Sequence, residues 1–145
     1  MFLGQYHHSF DDKSRLTIPA RFRDLLTDGA FVIRGLDNNL MVLTNPAFET
    51  IYQRVKVMNI TDPAARLLRR LILGAAFQLQ VDNSGRILIP QELRTYASLE
   101  GEAVLVGQGD YFEVWSPTLW QEQEAKIQDA ETNVQRFATL DLSTR

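Results

Sequence analysis

The sequence predicts an α+β, β-rich fold, built from two tandem copies of one small strand-and-helix module with helices between and after them. Three observations predict it. A fourteen-residue segment recurs 71 residues downstream, each copy opens on a short alternating strand bounded by turn residues, and the intervening stretches switch to helical spacing.

The recurrence joins residues 10–23 to residues 81–94. Asp11/Asp82, Arg15/Arg86, Ile18/Ile89, Pro19/Pro90 and Arg23/Arg94 are identical, and the apolar positions between them match in kind. After one extra residue in the second copy, Gly29 aligns with Gly101 and Gly35 with Gly107. Leu40–Leu43 then aligns with Tyr111–Val114, and Pro46 with Pro117. Such collinearity marks a duplication.

Each copy reads the same way. The polar turn Asp-x-x-Ser/Gly leads into Arg15-Leu16-Thr17-Ile18 or Arg86-Ile87-Leu88-Ile89, where alternate residues share a face. Leu16 and Ile18, or Ile87 and Ile89, face inward, so Arg15 and Arg86 face outward beside the turn. Pro19 and Pro90 cannot extend a ladder but suit the first turn of a helix. Phe22, Leu25 and Leu26 form the apolar stripe of that helix in the first copy, Leu93 and Ala97 in the second. Two further strands follow, turning at Asp37-Asn38-Asn39 and at Gly109-Asp110.

The segment between the copies predicts two helices. One starts near Pro46 and runs through Phe48, Ile51, Tyr52 and Val55; the other has Asp62 as N-cap, Pro63 first and Gly74 at its end. Ala64, Leu67, Leu68, Leu71 and Ile72 make one stripe of the second, with Arg66, Arg69 and Arg70 elsewhere. Ser116 and Pro117 open a last helix to about Glu131, in which Trp120, Gln123 and Ile127 have core spacing. The tail after it is polar apart from Phe137, Leu140 and Leu142. The expected organisation is a first module at 5–47, a helical linker at 48–75, a second module at 76–118, and a C-terminal helix and tail at 119–145.

Composition narrows the function. The chain has 145 residues, no cysteine and a net charge of −3. Lack of cysteine removes disulfides and thiolate metal sites and suits a reducing compartment. No basic-then-apolar leader opens the chain and no run of about 18 apolar residues occurs, so a cytoplasmic location is expected. Residues 1–94 hold 12 Lys/Arg against 9 Asp/Glu, whereas residues 95–145 hold 3 against 9. Bulk attraction to nucleic acid is therefore excluded, and only a few placed cations remain to read a site.

Arg15 and Arg86 are the first candidates. A guanidinium fork grips guanine O6 and N7 together, or a phosphate. The alternative is a surface ion pair with Asp11 or Asp82, which duplication at one strand position disfavours. Lys13, Ser14, Ser84 and Gly85 belong to the same turns, Lys13 as a phosphate contact. Arg21, Arg23 and Arg94 lie on the short helices, where pairing with Asp24 or Glu92 competes with any contact to nucleic acid. Arg66, Arg69 and Arg70 read as a solvated face or a subunit contact. His7 and His8, without a third histidine or a cysteine, do not make a metal site. Asp11 and Asp12 have no nucleophile, base or phosphate loop beside them, so no enzyme, cofactor or metal is expected, and Asp11 reads as a turn cap.

The paired D-x-x-[SG]-R-[LI]-x-[IL]-P segments resemble the SpoVT-AbrB DNA-binding module. Two such modules joined by helices, with Leu105-Val106-Gly107-Gln108 and Phe112-Glu113-Val114-Trp115 in the second, resemble the bacterial MraZ family over nearly the whole chain. The resemblance implies a swapped-hairpin, double-psi-like β-barrel in which the two copies pair as a pseudo-dimer. It also implies a nucleoid-associated transcriptional regulator, a repressor, that binds short direct repeats in double-stranded DNA. Those repeats precede the division and cell-wall gene cluster, and the regulator binds them as a ring-forming homo-oligomer. Arg15 and Arg86 are the DNA-contacting arginines it implies. Ser14 departs from the usual glycine, present as Gly85, so the first turn is expected to be tighter to form or differently shaped, and Arg86 to be more securely placed than Arg15. The alternative reading is an oligomerising interaction protein or antitoxin-like module.

Overall fold

The computed structural model describes residues 1–144, so Arg145, the end of the expected tail, lies outside the described residues. The first copy contributes β1 (Gln5–Ser9), β2 (Arg15–Thr17), α1 (Ala20–Arg23), β3 (Ala30–Arg34) and β4 (Leu40–Thr44). Helices α2 (Asn45–Lys56) and α3 (Pro63–Leu73) follow. The second copy contributes β5 (Phe77–Leu79), β6 (Arg86–Leu88), α4 (Gln91–Tyr96), β7 (Glu102–Gly107) and β8 (Tyr111–Trp115), and the chain continues through α5 (Pro117–Gln128) and α6 (Ala130–Arg136).

The class is α+β and sheet-rich, as expected. Six strands form one antiparallel sheet in the order β1-β7-β8-β4-β3-β5, and β2 pairs with β6 in a separate ribbon. The two copies interleave: β1 of the first pairs with β7 of the second, and β5 of the second with β3 of the first. The expected closed barrel is not what the hydrogen bonds form, since β1 and β5 are the edges of an open sheet. The ribbon strands are three residues long, and Pro19 and Pro90 follow closely with no N–H to carry a ladder further.

Register exposes an approximate twofold relation. Leu16 faces Ile87, flanked by Arg15–Leu88 and Thr17–Arg86, so each residue meets its own repeat counterpart or that counterpart's mirror. Met41 faces Glu113 on the same axis, between Leu40–Val114 and Val42–Phe112, which makes Glu113 rather than Phe112 its counterpart and shifts the alignment of Leu40–Leu43 with Tyr111–Val114 by one residue. The pairs also revise the repeat alignment. His8 with Ala103 corresponds to Leu79 with Ala30, which makes Ala30 the counterpart of Ala103. Gly35 and Gly107 are therefore not equivalent. A β-carbon on Gly107 would run into the backbone of Phe2 and Leu3, whereas one on Gly35 would meet the side chain of Asn39.

The core lies between ribbon, sheet and short helices. Leu16, Ile18, Ile87 and Ile89 are fully buried against Phe22, Leu26, Leu93, Phe112 and Val114. Phe22 stacks edge-on to Phe2 at 5.1 Å and lies 4.9 Å from Phe112, which ties the N-terminus into the centre. Pro19 and Pro90 stand just before α1 and α4 as N-caps. In α1 only Phe22 is buried and Leu25, one turn on, is exposed, so its stripe is shorter than expected.

Helices α3 and α5 start at the expected Asp62 and Ser116, and α2 starts beside the expected Pro46 with Thr44, not singled out in the sequence, as its cap. Thr44, Asp62 and Ser116 each accept a backbone N–H of the first turn, with a proline inside it. The end of α5 differs from expectation. The helix stops at Gln128, and Asp129 caps a second helix over residues read as helix end and polar tail. Asn133 Nδ2 donates to the carbonyls of Lys126 and Ile127 at 2.8 and 3.0 Å, satisfying groups that the break leaves free. Trp120 packs on Trp115, Val104 and Val106, but Ile127 is exposed rather than core. Among the described residues, no helix is long and apolar enough to cross a membrane.

Ile87 sits on the pseudo-twofold with no exposed surface. Ile87→Ala is expected to cost about 2–5 kcal/mol, measured by denaturant unfolding, through lost burial plus the cavity left in both copies at once.

Candidate nucleic-acid interface

The site begins at two matched turns. Asp11 Oδ1 accepts the backbone N–H groups of Lys13 and Arg15, each at 2.9 Å, and the Asp11 carbonyl accepts that of Ser14 at 3.1 Å. Asp82 does the same for Ser84, Arg86 and Gly85 at 2.9, 2.9 and 3.0 Å. The residue before each arginine is left-handed, with φ of +62° at Ser14 and +76° at Gly85. Of the two expectations for Ser14, a different shape is not what forms: Ser14 takes the glycine conformation, and the departure is felt as a steric cost of forming the turn.

From these turns β2 and β6 project the arginines onto the outer face of the ribbon. Antiparallel pairing brings them together instead of leaving two separate tips. Arg15 Nε donates to Asp11 Oδ2 at 2.7 Å, Arg86 Nη1 to the same oxygen at 3.1 Å, and Arg86 Nε to Asp82 Oδ2 at 3.2 Å. One carboxylate oxygen thus serves both copies. Both arginine side chains keep close to 30 % of their surface exposed. Among the described residues no acceptor meets Arg15 Nη1 or Nη2, the two donors at the open end of the fork. The ion pairs that compete with DNA contact in the sequence are thus formed through Nε, leaving the Arg15 fork outward.

Electrostatics follow from the same bonds. Asp11 is held below the usual carboxylate range, first by the Arg15 backbone N–H and then by its guanidinium and Lys13, against partial desolvation. Asp82 is lowered likewise by the Arg86 backbone N–H, the Ser84 N–H and the Arg86 charge. Lys13 and Ser84 are exposed at the turn surface, and among the described residues no hydrogen bond or ion pair engages the Lys13 ammonium.

Arg23 and Arg94 do not pair with Asp24 or Glu92. Their Nε atoms donate to the carbonyls of Ile18 and Ile89 at 2.7 and 3.0 Å. Nothing in residue type marks this bond; the signal available was identity at both repeat positions. Sequence reasoning also missed Leu88, 48 % exposed and directly opposite Arg15. Arg66, Arg69 and Arg70 lie on α3, far along the chain from the turns; Arg66 Nη1 donates to the Ile60 carbonyl at 3.0 Å.

A family model described as "MraZ protein, putative antitoxin-like" matches the chain twice, over residues 1–71 and 72–141. The chain belongs to the MraZ family. A protein named transcriptional regulator MraZ from Thermomicrobium roseum is 42 % identical over 141 residues, covering 97 % of this chain and 99 % of its own. Proteins of the same name from Roseiflexus castenholzii and Desulfitobacterium hafniense are 45 and 38 % identical, covering 83 and 90 % of this chain and 85 and 91 % of theirs. In this MraZ-family chain each family match contains one Asp–turn–Arg unit, and the network of Asp11, Arg15, Asp82 and Arg86 needs both.

The carboxylates set a pH window. A group whose pKa is lowered in the folded state stabilises above its unfolded value, near 3.9 for Asp, and loses that contribution as pH falls through the folded value. Amide protection of Lys13, Arg15, Ser84 and Arg86 is expected to hold above about pH 4 and to fade below it, read by an NMR pH titration. Ser14→Gly is expected to add about 0.5–1 kcal/mol by relieving the left-handed serine, measured by thermal unfolding.

Proposed function

We propose that this chain is a DNA-binding transcriptional regulator, and that Arg15 and Arg86 together read its site. The observation that carries this is the unengaged Nη1/Nη2 end of Arg15 on an exposed ribbon, next to Arg86 and fixed from behind by Asp11. A fork held by its Nε edge is pre-organised for guanine O6 and N7 or for a phosphate, so less side-chain freedom is lost on binding. Lys13, Ser14 and Ser84 line the same edge and meet the DNA backbone, Lys13 as a charge and the serines through polar contact, while Gly85, buried in its turn, sets the backbone from which Arg86 projects. The names of the relatives support the regulatory part of this reading.

Two arginines are few contacts for tight binding at cellular salt. The regulator therefore acts as a homo-oligomer, a ring that presents many ribbons to short direct repeats and gains affinity through effective concentration. Helix α3 supports assembly: none of its residues is buried, and Leu67 is 68 % exposed on an apolar stripe beside Arg66, Arg69 and Arg70. An acidic C-terminal part with exposed Ile127, Val134 and Phe137 supplies a surface of opposite charge. The targets are promoter repeats ahead of the division and cell-wall gene cluster, the effect is repression, and the protein resides on the nucleoid. The modules are residues 5–47 and 76–118, with 48–75 as linker and 119–145 as helix and tail.

Arg15→Ala combined with Arg86→Ala is expected to weaken binding to a duplex from upstream of its own gene by about 100-fold or more, at about 1–3 kcal/mol per bidentate contact. Fluorescence anisotropy at fixed salt measures this, and undiminished affinity overturns the reading. A wild-type protein that gives no salt-sensitive shift on such duplexes favours the rival role as a protein-binding, antitoxin-like module. Leu67→Asp is expected to lower the mass measured by light scattering.

A further inference from the structure

The two arginine-bearing turns are not held by their own repeat alone. Ile18 of the first copy donates its N–H to the Gly85 carbonyl of the second at 2.9 Å, and Ile89 of the second donates to the Ser14 carbonyl of the first at 3.3 Å. Behind each isoleucine stands the helix arginine of the same copy, with Arg23 Nε on the Ile18 carbonyl and Arg94 Nε on the Ile89 carbonyl. Arg23 then lies flat against the opposite turn. A β-carbon on Gly85 would stand 2.5 Å from Arg23 Cζ and 2.6 Å from its Nε and Nη1. Gly85 is buried beneath it.

We propose that Arg23 and Arg94 are positioning residues that clamp the arginine-bearing turn of the opposite repeat and thereby set where Arg86 and Arg15 stand against DNA. This rests on the DNA-binding reading above for its functional consequence, while the clamp itself is a property of the free protein. The chemistry favours arginine. Its plane can donate to a carbonyl at one edge and cover a glycine with its face, whereas lysine offers a point charge without a plane. The two clamps are unequal. Where glycine lies under the guanidinium both bonds are short, 2.7 and 2.9 Å; where Ser14 carries a β-carbon they are 3.0 and 3.3 Å. The clamp on the Arg86 turn is the one in which the guanidinium lies over a glycine. Arg23 also makes the neighbouring strand electropositive, since after desolvation its charge is the next cause of the lowered pKa of His8.

The test has a DNA-free arm and a DNA arm, both on the full chain. In amide exchange without DNA, Arg23→Lys and Gly85→Ser should each speed exchange of the Ile18 amide by about tenfold, and the double variant should do little more than either single, because both break one clamp. Unchanged Ile18 exchange, or additive effects, overturns the clamp. In the DNA arm, a duplex from upstream of the gene is compared with a scrambled duplex of equal length. Arg23→Lys keeps the charge, so the slope of log K against log[salt] should stay at the wild-type value while preference for the upstream duplex falls about tenfold. Full discrimination in Arg23→Lys means that charge alone matters and overturns the positioning role. Arg23→Gln must also leave the salt slope unchanged; a slope smaller by about one marks a direct phosphate contact and overturns it too. If the wild type does not discriminate between the duplexes, the regulatory reading falls, and the exchange arm alone then decides whether the clamp exists.

Discussion

The crossed hydrogen bonds between the ribbon strands and the opposite turns are the constraint on which the rest of the structure depends. Ile18 reaches Gly85 and Ile89 reaches Ser14, so neither turn is complete within its own copy. The buried pair Leu16 and Ile87 sits at the centre of this crossing, and the aromatic cluster of Phe2, Phe22 and Phe112 closes on it from one side. A module of this size buries only a modest share of its surface alone. Interleaving supplies the missing partner, with β1 and β5 completing the sheet of the copy to which they do not belong.

The same crossing explains the electrostatics. Two guanidiniums on adjacent strands would repel, and one carboxylate oxygen of Asp11 lies between them. Asp11 is at once a turn cap through Oδ1 and a counter-ion through Oδ2, so the backbone that places Arg15 and the charge that steadies it are one group. The value of such exposed pairs lies in orientation more than in stability, because exposed ion pairs contribute little to folding.

Much of this was legible in the sequence. The turns, β2 and β6, the outward arginines and the starts of α2, α3 and α5 follow from residue type and spacing. What was not legible depends on partners from far along the chain. Gln5–Ser9 has no apolar alternation and is a strand because β7 pairs with it. Alignment of Gly35 with Gly107 fails because each lacks a side chain for its own reason, a neighbouring Asn39 in one case and the N-terminal backbone in the other. At the site, the ion pairs open in the sequence are formed, but the merging of two arginines into one network follows only from the β2–β6 register. Helix α3 reads in sequence like a helix with a core face, and in the single chain that face is only half-covered, with Leu68, Leu71 and Ile72 partly buried and Leu67 exposed.

The unequal halves have a consequence for direction. In a true dimer of identical chains, turning the molecule over exchanges two identical readers, and such a reader matches a palindrome. Here Met41 faces Glu113 on the pseudo-twofold, one turn holds serine where the other holds glycine, and the bridging carboxylate belongs to the first copy. The duplicated chain has a front and a back, and a row of such chains set side by side carries an arrow along it, as does a row of repeated sequences all written the same way round.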